Sequence, residues 1–151
     1  MTKNVGATAA FNTSTQDWVS EVLRATNGRG VDLIIDFIGG GPIFEQNLKA
    51  VARDGAIVNL GFLGGTKVGK ETDVSAFLMK RLTYVGSSLR SRDEEYQGKL
   101  RDRLVEEVVP GIVGGKLKVF VEKVLPWEQV QEAQKLLEEN KTMGKVICTI
   151  S

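Results

Sequence analysis

The sequence predicts an α/β fold built on a mainly parallel sheet, and three observations carry that reading. Apolar strand-like runs alternate with amphipathic helical segments along all 151 residues. The run VDLIIDFI, Val31–Ile38, is apolar on both faces, as in a strand covered by helices on each side. Three of the runs end in glycine: at Gly39-Gly40-Gly41, at Gly61 with Gly64-Gly65, and at Gly86 before Ser87-Ser88.

The elements follow in order. ATAAF (Ala7–Phe11) is a short strand candidate. A helix comes next, with Ser14 or Thr15 as cap, Asp17 in its first turn, and Trp18, Val22 and Ala25 at helical spacing. NGRG (Asn27–Gly30) stops it before VDLIIDFI. PIFEQNLKAVARDG is a second helix, Pro42 near its start and Gly55 past its end, with Phe44, Leu48, Val51 and Ala52 as buried stripe. AIVNLGF (Ala56–Phe62) is a strand, DVSAFLMKR a short helix, and LTYVGSS (Leu82–Ser88) a further strand. A long helix runs from about Asp93 to Val109, with Tyr96, Leu100, Leu104 and Val108 in register, and Pro110 with GIVGG ends it. LKVFVEKVL is β-like. PWEQVQEAQKLLEEN is helical with Val130, Ala133 and Leu137 inward, and KVICTI closes the chain as a strand.

Composition excludes several kinds of chemistry. The chain has no histidine and one cysteine, Cys148, so Ser-His-Asp and Cys-His mechanisms within it are ruled out. The same poverty argues against zinc, whose sites take three or four protein ligands rich in Cys and His. Cys148 lies in an apolar run and reads as a core residue. A net charge of +1 gives no argument for nucleic acid or an acidic membrane. No apolar run approaches membrane-span length, and MTKNVGATAA lacks a signal-peptide pattern, so a cytoplasmic protein is the default.

The glycines point to a ligand. In open α/β sheets ligands bind outside the carboxyl ends of the strands, and glycine there lets backbone approach a flat, partly polar molecule such as a nucleotide. The alternative is that glycine only permits the turns. Neither G-x-G-x-x-G after a strand nor a Walker loop is present. Asp36, in mid-strand, reads as hydrogen-bonded structure before general base.

Four segments then carry a resemblance: NGRGVDLIIDFIGG, LKAVARDGAIVNLGFLGG, LTYVGSSLRSRDEEY and VQEAQKLLEENKTMGKVICTI. In order and spacing they resemble the medium-chain dehydrogenase/reductase superfamily, most of all its zinc-free NADPH:quinone oxidoreductases. The resemblance implies a partial Rossmann fold, doubly wound and mainly parallel, lacking its first two strands. Residues 1–151 would form one domain, the C-terminal part of a nucleotide-binding domain, without the GroES-like catalytic domain. Met1 would be an internal family position. The implied reaction is hydride transfer from NADPH to a quinone or enone, with no catalytic side chain or metal ligand in this chain and no turnover by it alone.

By motif, Phe37, Ile38 and Gly39 would flank the adenosine side of the cofactor. Gly61, Phe62, Leu63 and Gly64 would lie near the nicotinamide and its ribose, and Ser88, Leu89 and Arg90 would complete that pocket. Asn140 would lie near the phosphates. Relatives often carry Tyr after FN where this chain has Thr13.

In the family's strand order, 3-2-1-4-5-6, two empty slots of about 10 Å together would separate Ala7–Phe11 from VDLIIDFI. Strand Ala7–Phe11 would then shift or detach, or another chain would cover the apolar edge of VDLIIDFI. The opposite edge, Leu82–Leu89, is where family dimers pair, so a homodimer is expected. A non-catalytic dimerisation or interaction module is the alternative function, and a fragment of a zinc alcohol dehydrogenase is disfavoured by the missing His and Cys.

Overall fold

The structure is a computed structural model that describes residues 5–139 and 142–150. It forms two compact units that divide after Arg92. Among the described residues no helix is long and apolar enough to cross a membrane.

The first unit begins with α1 (Trp18–Ala25), capped by Asp17 rather than by Ser14 or Thr15. The Asp17 carboxylate accepts from the Ser20 backbone amide at 3.3 Å and from its hydroxyl at 2.6 Å. Strand β1 (Val31–Asp36) leads through the three glycines into α2 (Gly41–Ala50), then β2 (Val51–Asn59), α3 (Ser75–Met79) and β3 (Thr83–Gly86). The sheet order is β1-β2-β3, all parallel. Residues 7–11 form no strand, which corrects the expectation for ATAAF. With no neighbouring strand among the described residues to pair with, that segment has nowhere to place its backbone hydrogen bonds as a ladder.

The join between α2 and β2 differs from its sequence reading. The helix ends at Ala50, so Val51 and Ala52 are buried as strand residues and not as helix stripe. Between Val51 and Ala56 the strand bulges out of register with β1, and Asp54 sits at φ 60°. The Asp54 amide donates to the Lys80 carbonyl at 2.7 Å, and its carboxylate takes a two-pronged ion pair from Arg81. Regular pairing resumes at Ala56, the residue at which the sequence places the strand's start.

Cross-strand register sorts the two faces of the sheet. Ile34, Ile57 and Tyr84 form one row, and Ile35, Val58 and Val85 the adjacent row on the opposite face. The first row meets α2 and α3. Leu48, Val51 and Ile57 are buried there against Ile34, Phe44, Ala76, Phe77 and Leu82. Tyr84 meets Phe44 and Phe77 in T-shaped contacts, and the two Phe rings are tilted against each other, with centroids 5.6–6.2 Å apart. Burying Leu48 and Ile57 contributes about 2–3 kcal/mol each. On the other face Leu33 and Ile35 are each 53% exposed and Val85 45%.

The second unit holds α4 (Glu94–Arg103), capped by Asp93, whose carboxylate accepts from the Tyr96 amide at 2.7 Å. The helix widens into a π turn over Leu104–Val108 and continues as α5 (Val109–Val113). Pro110 therefore does not end it. The Val109 amide reaches back to the Leu104 carbonyl, and this wider turn lets the proline follow without the usual break. The apolar stripe is not buried: Tyr96 and Leu104 are 43% and 46% exposed. Strand β4 (Val121–Pro126), a short 3₁₀ turn, α6 (Val130–Glu138) and β5 (Lys145–Thr149) follow, β4 and β5 pairing in parallel. Of the three α6 residues expected inward, Ala133 is buried, whereas Val130 and Leu137 are exposed. Cys148 is exposed, which corrects its reading as a core residue.

Candidate functional site

The carboxyl ends of β1, β2 and β3 lie on one edge, as parallel strands require, and their loops form the candidate site. The loops after β1 and β2 interlock. Gly39, at φ 63°, lies so close to its neighbour that a β-carbon on it would stand 2.2 Å from the Gly61 carbonyl oxygen. One on Gly40, at φ 61°, would stand 2.0 Å from the Gly65 carbonyl oxygen. These glycines make room for each other's backbone. The Gly64 amide donates to the Ile38 carbonyl at 2.8 Å and the Gly41 amide to the Lys67 carbonyl at 2.7 Å.

Two buried side chains brace this junction. Asp36, 7% exposed, accepts through Oδ1 from the amides of Ile38 (2.8 Å) and Gly39 (2.9 Å). Its Oδ2 accepts from Asn47 Nδ2 of α2 at 2.8 Å. All its close polar neighbours are donors to a carboxylate, which is the structural role expected for it. Asn59 is also buried and donates from Nδ2 to the Gly61 carbonyl at 3.1 Å.

Beside the second loop opens a cleft of about 370 Å³, lined by Asn59, Leu60, Gly61, Phe62, Gly86, Ser87, Ser88 and Ser91. A β-carbon on Gly86 would meet nothing within 4 Å, so the bare backbone leaves free space there. The lining combines three serine hydroxyls with glycine backbone and the exposed Phe62 ring. Hydroxyls and bare backbone around open space can take a flat ligand with polar edges. A second, mostly apolar groove of about 340 Å³ flanks β1, lined by Thr13, Trp18, Ile34, Ile35, Asp36, Phe37, Ile38, Ile43 and Asn47.

The expected site residues divide accordingly. Gly61, Phe62 and Ser88 meet in the cleft, and Phe37 and Ile38 line the groove. Gly39 is buried between the loops, and Gly64 faces it. Leu63, Leu89 and Arg90 are exposed and line neither space. Asn140 lies outside the described residues. Sequence reasoning missed Asn47, Asn59, Ser87 and Ser91. The first two carried a signal: Asn47 falls three residues after Phe44 on an apolar helix stripe, and Asn59 interrupts an apolar strand.

Parallel strands, crossover helices on one face and a glycine-lined cleft at the carboxyl edge define a Rossmann-like cofactor domain of the medium-chain dehydrogenase type. The profile of the zinc-binding dehydrogenase family matches residues 5–148, and the chain belongs to that family. It is 27% identical over 146 residues to a quinone oxidoreductase-like protein 2 homolog of Nematostella vectensis, covering 96% of this chain and 39% of the relative. It is 31% identical over 150 residues to an L-threonine 3-dehydrogenase of Pyrococcus furiosus, covering 97% of this chain and 40% of the relative. A crystal structure of an NAD-dependent alcohol dehydrogenase superposes with a TM-score of 0.71 at 31% identity, over 99% of this chain and 40% of the other. The chain thus spans about two-fifths of the length of these relatives.

The family's name refers to zinc. Among the described residues no three His, Cys, Asp or Glu side chains gather to hold a metal ion, and the donor set does not fit a zinc site.

Proposed function

We propose that the chain supplies one side of the cofactor crevice of an NADPH-dependent quinone or enone reductase, as the C-terminal part of its nucleotide-binding domain. NADPH would supply the hydride, and the protein would supply position and electrostatics. The cleft between the ends of β2 and β3 carries this reading, because its lining combines serine residues, glycine backbone and the Phe62 ring around open space at Gly86. Gly61, Phe62 and Ser88 would frame the nicotinamide ribose, with Leu63, Gly64, Leu89 and Arg90 closing around the ring. Phe37, Ile38 and Gly39 would flank the adenosine, and Asn140 the phosphates. In this reading the chain's own part is binding and orientation of the cofactor.

Titration of the chain with NADPH and NADH, followed by nicotinamide fluorescence, tests the reading. Saturable binding of a nicotinamide dinucleotide is expected, and no quinone reduction by the chain alone. Binding of neither nucleotide would remove the cofactor reading.

A second reading, an interaction module, is favoured by Leu33, Ile35 and Val85 exposed on one face and, among the described residues, by the two unpaired sheet edges. A homodimer through Leu82–Leu89 would use the β3 edge, where Tyr84 and Val85 are exposed. Millimolar or absent nucleotide binding together with tight self-association would favour this reading.

A further inference from the structure

We infer that Asp36 is a positioning residue for the cleft wall, although it does not line the cleft. The inference rests on the cofactor reading for its purpose and on the loop geometry for its content. Its Oδ1 holds the Ile38 and Gly39 amides, which sets the loop after β1. That loop presents the Ile38 carbonyl to the Gly64 amide at 2.8 Å and packs Gly39 onto Gly61. Gly61 and Phe62 in turn form the cleft wall. A single buried carboxylate therefore fixes one loop directly and the next through it. Asn47, donating to Oδ2, ties the same carboxylate to α2, so the anchor is itself held.

Asp36→Ala removes the acceptor, whereas Asp36→Asn keeps an oxygen for both amides and can donate to a turned Asn47. Amide hydrogen exchange at Gly64 and Gly41 reads the loop whether or not nucleotide binds. Asp36→Ala should speed exchange at both by about tenfold while the β2 core amides keep their relative protection. Asp36→Asn should restore it. Ile57→Val, a core change of comparable destabilisation, should leave Gly64 in step with the core. Where the unmodified chain binds NADPH, Asp36→Ala should weaken it by about tenfold with recovery in Asp36→Asn.

Asp36→Ser is the second variant should the alanine form not fold, because its shorter hydroxyl holds the turn more weakly; an intermediate rate is expected. Unchanged Gly64 exchange in the folded Ala or Ser variant, or acceleration no greater than in Ile57→Val, would overturn the inference. Accelerated exchange in a chain that binds neither NADPH nor NADH would sustain the loop control and remove the cofactor reading alone.

Discussion

Tyr84 shows how one group reports on the whole strand-end region. Burial raises its phenol pKa above 10.0, and the negative charge of Asp36 raises it further. A raised folded-state value means the folded chain holds this proton longer than the unfolded one. The resulting stability is complete below about pH 10 and is lost as pH rises through the folded-state value. Tyr84→Phe should therefore flatten the alkaline fall in the urea midpoint above about pH 10. In a Tyr96→Phe background, Asp36→Asn should lower the absorbance-detected titration of Tyr84. An unshifted titration would show that the carboxylate's charge does not reach the ring.

Among the elements, α2 depends on a cap from outside itself. Lys80 Nζ donates to the carbonyls of Leu48 (2.8 Å), Lys49 (3.1 Å) and Val51 (2.8 Å), where the helix has run out of amides. An ammonium there also suits the helix dipole. Lys80→Met keeps the stem and removes the donors, and should cost about 1.5 kcal/mol, read as a lowered urea midpoint with unchanged slope. A midpoint equal to that of the unmodified chain would show that water satisfies these carbonyls as well.

This junction also shows what the sequence could and could not carry. The helical stripe around Phe44 and Leu48 was legible because burial imposes a period on it, whereas the apolar run of β1 suggested helices on both faces and the structure leaves Leu33 and Ile35 exposed on one. The bulge at Asp54 was not, because it is held by Lys80 and Arg81, 26 and 27 residues on. The glycine clusters were read as room for a ligand, with turns as the alternative, and the structure shows Gly39, Gly40, Gly61 and Gly64 crowded by backbone. Part of the crowding, though, comes from the neighbouring loop, a non-local fact without local signature. Asp36 was legible as structure, while its partner Asn47, eleven residues away on another element, was not. The short strand expected at Ala7–Phe11 failed for the same reason, since strands exist only in pairs.

At the scale of the whole molecule, the sheet of the first unit is covered on one face and open on the other. Leu33, Ile35 and Val85 are exposed on the same face, and among the described residues β1 and β3 each pair only with β2. Parallel sheets are ordinarily covered on both faces, so this arrangement calls for company. Sedimentation velocity should show the average mass rising with protein concentration. Ile35→Lys should abolish the rise while leaving the helix-covered face intact. A single monomeric species at all concentrations would mean the open face is tolerated in water.

The interlocked glycines also constrain how these loops can change over generations. A side chain on Gly39 strikes the Gly61 carbonyl, one on Gly61 strikes the Phe37 carbonyl, and one on Gly64 strikes the Gly39 carbonyl. Any first substitution meets the full steric cost. A second arrives at loops already parted and costs much less, so their effects should fall well short of additive. A lineage that replaced one of these residues would carry little further penalty for replacing its opposite. The steric coupling predicts that the two loops change together or not at all.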